Sequence, residues 1–474
     1  MKKNFLEFFF VIFFLCFLLF FRSHNIGIDG YYFLAKYLYS DNQFEPHHLL
    51  HHAIYHALIN FFQFFVKNFS VDFVFQLLNS LFFVASLVIV QKIRKLIFKE
   101  EDYFWILVLA FSGAGLRYAT EVEVYIFPLF LNLLGIYFFY LFIEKQSNLN
   151  FFLGSCFVCF AVLNHQVQWI GWLVISYYIF FYWKVSWNYF GYHLMISLIV
   201  PIIYWWVSYS QGLGFWEYAF MDYQNGSAEL SFGWKNIALT IINLPRTLIY
   251  FNESFFVINQ NPVFILITII LLCIFVFSIF IFIRYLMLIK YNFNQKLFLH
   301  LMVAYAIFAM ISHGNYEFMV GIPFFLVIIL PNFKINSLRF KIIFILSILT
   351  WNLIFLLIPF RFGDFYGKET LKKIYDEKSE VYFLIKESYW FRNFIYYHTG
   401  IEKPHRIIMQ LEPEKMNRLL EKGIVIYTDY GNLENPNRRN FMKNYDFPKN
   451  YKLIKKEKFL TYFGEKYLYQ IEHK

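Results

Sequence analysis

Residues 1–21, MKKNFLEFFFVIFFLCFLLFF, place two lysines in front of an apolar run that is long enough to cross a lipid bilayer. A basic start followed by apolar residues is also typical of a secretory signal peptide. The apolar region of a signal peptide is shorter, however, and no small-x-small cleavage site follows this run. The stretch therefore predicts a first transmembrane helix that stays attached to the chain, with its N-terminus in the cytoplasm.

Similar apolar runs recur along most of the chain. Of its 474 residues, 59% are hydrophobic and 24% aromatic, whereas soluble domains are nearer half apolar. The composition predicts a mainly α, polytopic membrane protein. Since a helix needs roughly 20 residues to cross the bilayer core, we expect about eleven spans. They lie near 5–21, 72–90, 103–119, 124–143, 151–163, 166–183, 193–209, 262–283, 297–313, 317–331 and 341–360.

The formal net charge of +10 would suggest nucleic acid as a partner if the protein were soluble. Here the lysines and arginines mostly flank apolar runs or lie in the C-terminal tail, so we expect them to orient the chain in the membrane. No nucleic-acid partner is predicted. All the cysteines lie inside apolar runs, which argues against a disulfide framework. The four are Cys16, Cys156, Cys159 and Cys273.

Segment 48–66, HLLHHAIYHALINFFQFFV, is either a further span or a helix that lies in the membrane interface. If it does not span, the basic loop 91–99, QKIRKLIFK, faces the cytoplasm together with the other lysine-rich loops. If it does span, every later loop is inverted. The positive-inside rule favours the interfacial helix, with the N-terminus inside and the C-terminus outside.

This topology divides the chain into a transmembrane domain, 1–360, and an extracytoplasmic C-terminal α/β domain, 361–474. The membrane domain carries a first outer loop, 22–71, with interfacial helices, and a large soluble outer loop, 210–261. In the tail, KGIVIYTDYGN is typical of a short buried strand, and alternating residues predict a hairpin that turns near Gly464. No internal repeat is evident, which argues against the inverted-repeat transporters.

Ionisable side chains from separate outer loops would meet at the same membrane boundary. The inner loops carry mainly lysine and arginine, whereas the outer loops carry histidine, glutamate and aspartate. Because such groups are costly near the bilayer, their collection predicts a functional outer cavity. The alternative is that wet loop ends attract charged residues anyway. The site candidates are Asp29, Glu45, His47, His48, Arg117, Glu123, His165, His313 and Glu317.

The stretch EPHHLLHHAIYH, residues 45–56, contains five histidines. On a helix, His47 and His51 form one i,i+4 pair, while His48, His52 and His56 form a second stripe. Such pairs are typical of metal-binding faces, but the HExxH pattern is missing. Contacts with a lipid phosphate or an acceptor, and packing in the interface, are the other interpretations. No metal site is predicted, with His48 and His52 as the weak candidates. No cofactor is assigned beyond a possible divalent cation.

The sequence resembles the type C glycosyltransferase superfamily, which includes protein mannosyltransferases and aminoarabinose transferase-like proteins. In DGYYFLAKYLY, Asp29, Tyr32 and Ala35 are similar to the acidic motif that opens the first outer loop of the family. EPHHLLHH resembles the Pro-His-Leu start of its second interfacial helix, and YATEVEVYIFPLF resembles its Glu-x-Tyr motif. Many members have paired acids in the first loop, whereas Asp29 has no acidic neighbour.

The resemblance implies a transferase that moves a sugar from a polyprenyl-phosphate donor to a cell-envelope acceptor at the outer face of the bacterial inner membrane. The acceptor is a lipid, a glycan or a protein. Asp29 would act as base or orient the acceptor, unless it only caps a helix. Glu45 is the second catalytic candidate. A transporter or flippase of lipid-linked glycans, or a polymerase-type assembly protein, is the alternative.

The remaining candidates are expected to bind substrate. Arg117 would pair with the lipid phosphate, or else extend its side chain to the interface. Two residues apart on a helix, Glu121 and Glu123 would point about 200° from each other, so only one would face the cavity. Glu123 matches the family motif better. The other substrate-binding candidates are His47, His48, His165, His313 and Glu317.

Overall fold

The computed structural model describes all residues except 1, 67–68, 100–101, 184, 222–229, 253–254, 256–257, 287–292, 332–337, 379, 435–446 and 449. Parts of the predicted outer loop 210–261 and of the tail therefore lie outside the described residues. The chain forms two compact units, Met1–Arg22 with Asn42–Ile358, and Ser23–Asp41 with Pro359–Lys474. We call them the helical unit and the sheet unit.

Helices dominate the described chain. In chain order they are α1 Lys2–Phe20, α2 Ile28–Tyr39, α3 His51–Phe65, α4 Val71–Phe98, α5 Tyr103–Ala110, α6 Gly113–Thr120, α7 Ile126–Lys145, α8 Asn148–Asn164, α9 Trp169–Phe181, α10 Trp187–Ser197, α11 Ile199–Ser210, α12 Phe215–Ala219, α13 Trp234–Arg246, α14 Pro262–Leu286, α15 Phe293–Ile311, α16 Ile322–Ile329, α17 Leu338–Asn352, α18 Ile358–Phe362, α19 Lys368–Glu377, α20 Ser388–Thr399 and α21 Pro413–Glu421.

Four helical stretches of the described chain have the length and composition to cross a membrane. They are Val71–Phe98, Ile126–Lys145, Trp187–Ser210 and Leu338–Phe362. Shorter apolar helices occur at Phe8–Phe20, Asn148–Asn164, Pro262–Ser278, Gln295–Ile311 and Tyr316–Ile329. The prediction of a mainly α, multi-pass membrane protein is confirmed, and the number of eleven spans stays a prediction.

The apolar run 103–119 was expected to be one helix, but it forms α5 and α6 with a break at Ser112. The Ser112 side chain caps α6 by accepting a hydrogen bond from the Gly115 amide, 3.3 Å away. Serine is a preferred N-cap, and glycine weakens a helix interior. A Cβ at Gly113 would lie 2.9 Å from the Tyr250 backbone nitrogen. Capping and close packing thus end the helix where hydropathy alone predicts continuation.

A second break separates α8 from α9 at the NHQ sequence. Helix α8 ends at Asn164, and the Nδ1 atom of His165 accepts a hydrogen bond from the Val167 amide at 3.2 Å. This contact begins a 3₁₀ turn over Gln166–Gln168, which leads into α9. The two apolar segments are therefore separate helices that meet at His165.

The sheet unit contains four strands, β1 Val381–Leu384, β2 Val425–Thr428, β3 Tyr451–Thr461 and β4 Gly464–His473, in the order β1-β2-β4-β3. Strands β1 and β2 are parallel, with Val381 opposite Val425, and the other pairs are antiparallel. The buried strand in KGIVIYTDYGN and the hairpin near Gly464 are confirmed. Gly464 has a φ of +101°, which suits glycine at the turn.

Segment Ser23–Asp41, which includes α2, belongs to the sheet unit. Asn25 fastens it, because its side-chain amide donates to the Gly363 carbonyl at 2.6 Å and accepts from the Phe365 amide at 2.9 Å. Helix α2 packs against α20, where the Trp390 indole donates to the Ile26 carbonyl at 3.2 Å. A piece of the predicted first outer loop thus folds with residues more than 300 positions later.

Candidate functional site

Asp29 lies exposed in the first turn of α2. The N-cap of this helix is Gly27, so the alternative in which Asp29 serves only as the cap is wrong. The backbone beside Asp29 is held in place, because the Asn393 side chain donates to the Ile28 carbonyl at 3.1 Å. A carboxylate in the first turn is favoured by the helix dipole. Asp29 belongs to the sheet unit, whereas the other predicted site residues belong to the helical unit.

The histidine stretch forms tight turns before α3 begins at His51. The Oε2 atom of Glu45 lies 3.1 Å from Nε2 of His52, and the His52 side chain is fully buried. Glu45 therefore pairs with an imidazole in its own stretch. Such a carboxylate fixes the orientation of the imidazole ring.

The stretch is docked on the turn that connects α8 and α9. Nδ1 of His47 lies 2.7 Å from the side-chain Oε1 of Gln166. The backbone amide of Gln166 donates to the backbone carbonyl of His47 at 3.0 Å. The His48 ring meets the His165 ring edge-on, with centroids 4.5 Å apart. The structure thus brings together His47, His48 and His165, which are predicted site residues from two loops.

His165 is buried, and burial lowers its pKa well below the usual value, with His48, His47 and His51 adding to the effect. It is therefore neutral at pH 7. Because Nδ1 accepts the Val167 hydrogen bond, the proton is on Nε2. Among the described residues, this Nε2 has no hydrogen-bond partner. His165 thus offers a buried donor that is free to bind an oxygen atom of a ligand.

Residues 121–125 are not helical, so the expectation that Glu121 and Glu123 point to opposite sides of a helix is wrong. The cause is Asn79 in α4, whose side-chain amide donates to the Glu121 carbonyl at 2.9 Å and to the Glu123 carbonyl at 2.7 Å. The Tyr55 hydroxyl donates in turn to Oδ1 of Asn79 at 2.7 Å. Both glutamate side chains are buried.

Arg117 forms an ion pair with Glu121, at 2.5 Å between Nη2 and Oε2. The Glu121 side chain is fully buried and that of Arg117 is mostly buried. Glu123 lies near enough to interact electrostatically with Arg117. Glu121 therefore balances much of the Arg117 charge inside the protein. The sequence analysis had favoured Glu123 over Glu121 as the site residue.

Tyr125 joins Glu317 to this region. Its hydroxyl donates to Oε2 of Glu317 at 2.8 Å, and its ring centroid lies 5.0 Å from that of His165. Glu317 is the second residue of the 3₁₀ turn Tyr316–Met319, and Oδ1 of Asn315 caps this turn by accepting from the Glu317 backbone amide at 2.9 Å. Glu317, His165 and His48 therefore belong to a continuous set of contacts.

Aromatic residues extend this set of contacts. The Tyr118 ring centroid lies 5.3 Å from that of Tyr125 and 6.0 Å from that of Tyr316. The Arg246 guanidinium lies 4.6 Å from the centre of the Tyr316 ring, a cation–π contact. The sequence analysis did not select these tyrosines or Arg246. We call the following set the outer cluster: His47, His48, His165, Tyr118, Tyr125, Tyr316, Glu317 and Arg246.

His313 is exposed and has a φ of +59°. Its Nδ1 lies 3.2 Å from the Ser231 hydroxyl, so its described contact is with the segment before α13. Among the described residues, no group of three or more His, Cys, Asp or Glu side chains is placed to hold a metal ion. The outer cluster instead combines aromatic faces, a neutral imidazole donor, a carboxylate and a guanidinium. Such a set suits a hydroxyl-rich or anionic ligand.

The chain is similar to two crystal structures of ArnT from Cupriavidus metallidurans. The structure bound to undecaprenyl phosphate has a TM-score of 0.58 and 9% identity, and the match covers 99% of this chain and 98% of that one. The apo structure has a TM-score of 0.56 and 8% identity, with 97% of each chain covered. No family model and no curated protein matches the sequence. The protein therefore has the same fold as these two ArnT structures.

Proposed function

We propose that the protein is a glycosyltransferase that moves a sugar from a polyprenyl-phosphate donor to a cell-envelope acceptor at the outer face of the bacterial inner membrane. The observation that carries this proposal is the fold shared over 99% of the chain with an ArnT bound to undecaprenyl phosphate. The burial of His165 supports it, because burying an ionisable side chain costs free energy and such residues are concentrated at functional sites.

The proposed topology has eleven spans, with α3 in the membrane interface, the N-terminus inside and the tail outside. If α3 crossed the membrane, the basic stretch 91–99 at the end of α4 would face the outside. The positive-inside rule therefore supports the interfacial position. A reporter fused after residue 100 should be active in the cytoplasm. A periplasmic signal there would overturn this arrangement.

We assign Asp29 to the acceptor. In the transfer, an acceptor oxygen or nitrogen attacks the anomeric carbon, and the bond between this carbon and the lipid phosphate breaks. The electron pair of that bond leaves with the phosphate, and the acceptor proton passes to the Asp29 carboxylate. Exposure of Asp29 suits contact with an acceptor, and the hydrogen bond from Asn393 to the Ile28 carbonyl limits movement of the backbone.

We assign the outer cluster to the donor. The neutral Nε2–H donor of His165 suits a sugar hydroxyl or a phosphate oxygen. Arg246 supplies positive charge for the phosphate. Glu45 orients His52, while His47, His48, Glu123 and His313 stay proposed substrate contacts.

The test is complementation of a strain that lacks the protein. Mass spectrometry of envelope lipids and glycans should show the loss of one sugar, which wild-type protein restores and Asp29→Asn does not. The matched control is Asp41→Asn, because Asp41 is an exposed carboxylate in the same segment. Full restoration by Asp29→Asn, at equal membrane levels, would remove Asp29 from catalysis. An unchanged envelope in the deleted strain would contradict the proposed function itself.

A further inference from the structure

Helix α13 turns uncharged polar residues inward and several large apolar residues outward. Asn236 and Thr240 are only 5% and 7% exposed, whereas Trp234, Ile241 and Ile242 are 86%, 63% and 51% exposed. An amphipathic helix on a water-soluble surface shows the opposite arrangement, since its apolar face packs against the core. The exposed face of α13 is therefore unsuited to water.

The inward face is held by hydrogen bonds. The Asn236 side chain donates to the Ser231 carbonyl at 2.9 Å, and that of Asn243 donates to the Gly314 carbonyl at 2.8 Å. The Ser231 amide donates to the Ile311 carbonyl at 2.8 Å, at the last residue of α15. These bonds fix which face of α13 points outward, so the exposure of its apolar residues follows from a specific structure.

The outward face of α13 continues the surface of a membrane helix. Helix α13 packs against α15, which is one of the apolar helices of the chain and exposes Val303 and Ile307. Phe232, just before α13, is also exposed. A patch of this kind beside an apolar membrane helix marks a surface that contacts lipid or another protein.

We infer that α13 lies at the membrane–water interface, with its exposed apolar face among the lipid acyl chains. Trp234 has the amphipathic ring that membrane interfaces favour, and the neighbouring Lys235 is exposed and can reach the lipid headgroups. The continuity with α15 favours lipid over a second copy of the chain. This inference is independent of the proposed function. It places part of segment 210–261, predicted as a soluble loop, in the bilayer.

The test uses nitroxide labels on full-length protein in phosphatidylcholine vesicles. Ala238→Cys carries the label on the outward face of α13, and Lys456→Cys carries it at an exposed position of β3. Unsubstituted protein gives the background from the native cysteines. We expect relaxation of the Ala238→Cys label by oxygen, which concentrates in lipid, to exceed relaxation by a water-soluble nickel complex several-fold. Lys456→Cys should show the reverse order.

Two results would overturn the inference. Nickel relaxation at Ala238→Cys equal to that at Lys456→Cys would place α13 in water. Protection from both reagents would place another protein surface there, such as a second copy of the chain. Ile242→Cys serves as a second outward position, so that a single poorly folded variant does not decide the outcome.

Discussion

Asn79 holds the non-helical segment that carries Glu121 and Glu123, and its replacement tests how much these hydrogen bonds contribute to stability. In Asn79→Ala, the two glutamate carbonyls lose their donor and the Tyr55 hydroxyl loses its acceptor. A hydrogen bond in this setting contributes about 0.6 to 1 kcal/mol, so three together predict a loss of about 2–3 kcal/mol in the free energy of unfolding.

Tyr55→Phe is the matched control, because it removes only one of these bonds. We expect it to cost about 0.6 to 1 kcal/mol in the wild-type protein. In the Asn79→Ala background it should cost almost nothing, because its partner is already absent. The assay is reversible unfolding in mixed micelles, followed by far-ultraviolet circular dichroism. The reasoning is refuted if Asn79→Ala costs no more than Tyr55→Phe, or if the two effects simply add.

Two further predictions concern helix packing and pH. In Gly171→Ala, the new Cβ would lie 2.1 Å from Nδ2 of Asn132, which donates to Gln168 at 2.7 Å. We expect a loss of about 1–3 kcal/mol in micelle unfolding, whereas Gly191→Ala, whose Cβ meets no atom within 4 Å in the described structure, should be neutral or slightly stabilising. Burial lowers the pKa of His165 in the folded protein, so its contribution to stability is complete above pH 6.5 and falls as the pH drops below that value, by up to about 1.4 kcal/mol per pH unit. His165→Phe should flatten this pH dependence between pH 6.5 and 5, and an unchanged slope would contradict the neutral assignment.

The sequence was informative where local composition decides the structure. Apolar runs predicted the multi-pass helical fold, and the predicted spans 151–163 and 166–183 are divided where α8 ends and the turn to α9 begins. The break at Ser112 was missed because hydropathy was weighed above the cap, although Ser followed by Gly-Ala-Gly is a local signal. The Arg117–Glu121 pair was also predictable, because residues four positions apart are neighbours on a helix.

Contacts between distant segments could not be predicted in this way. The conformation of residues 121–125 depends on Asn79, which lies more than 40 residues earlier. Glu317 meets Tyr125 across 192 positions. In both contacts, nothing in the neighbouring sequence distinguishes the polar groups from other polar residues. They become partners only when the helices pack, and the periodicity of a single sequence does not show which helices pack together.

The loop 313–317 contacts helix α13 and also carries two residues of the outer cluster, Tyr316 and Glu317. Asn243 of α13 holds the Gly314 carbonyl, Asn315 caps the turn in which Glu317 lies, and Glu317 accepts from Tyr125. Gly314 has a φ of +69°, and a Cβ there would lie 2.5 Å from that of Leu239 in α13. The loop and the helix are thus in direct contact, with no room for a larger residue. A displacement of α13 would therefore move this loop and, with it, Glu317.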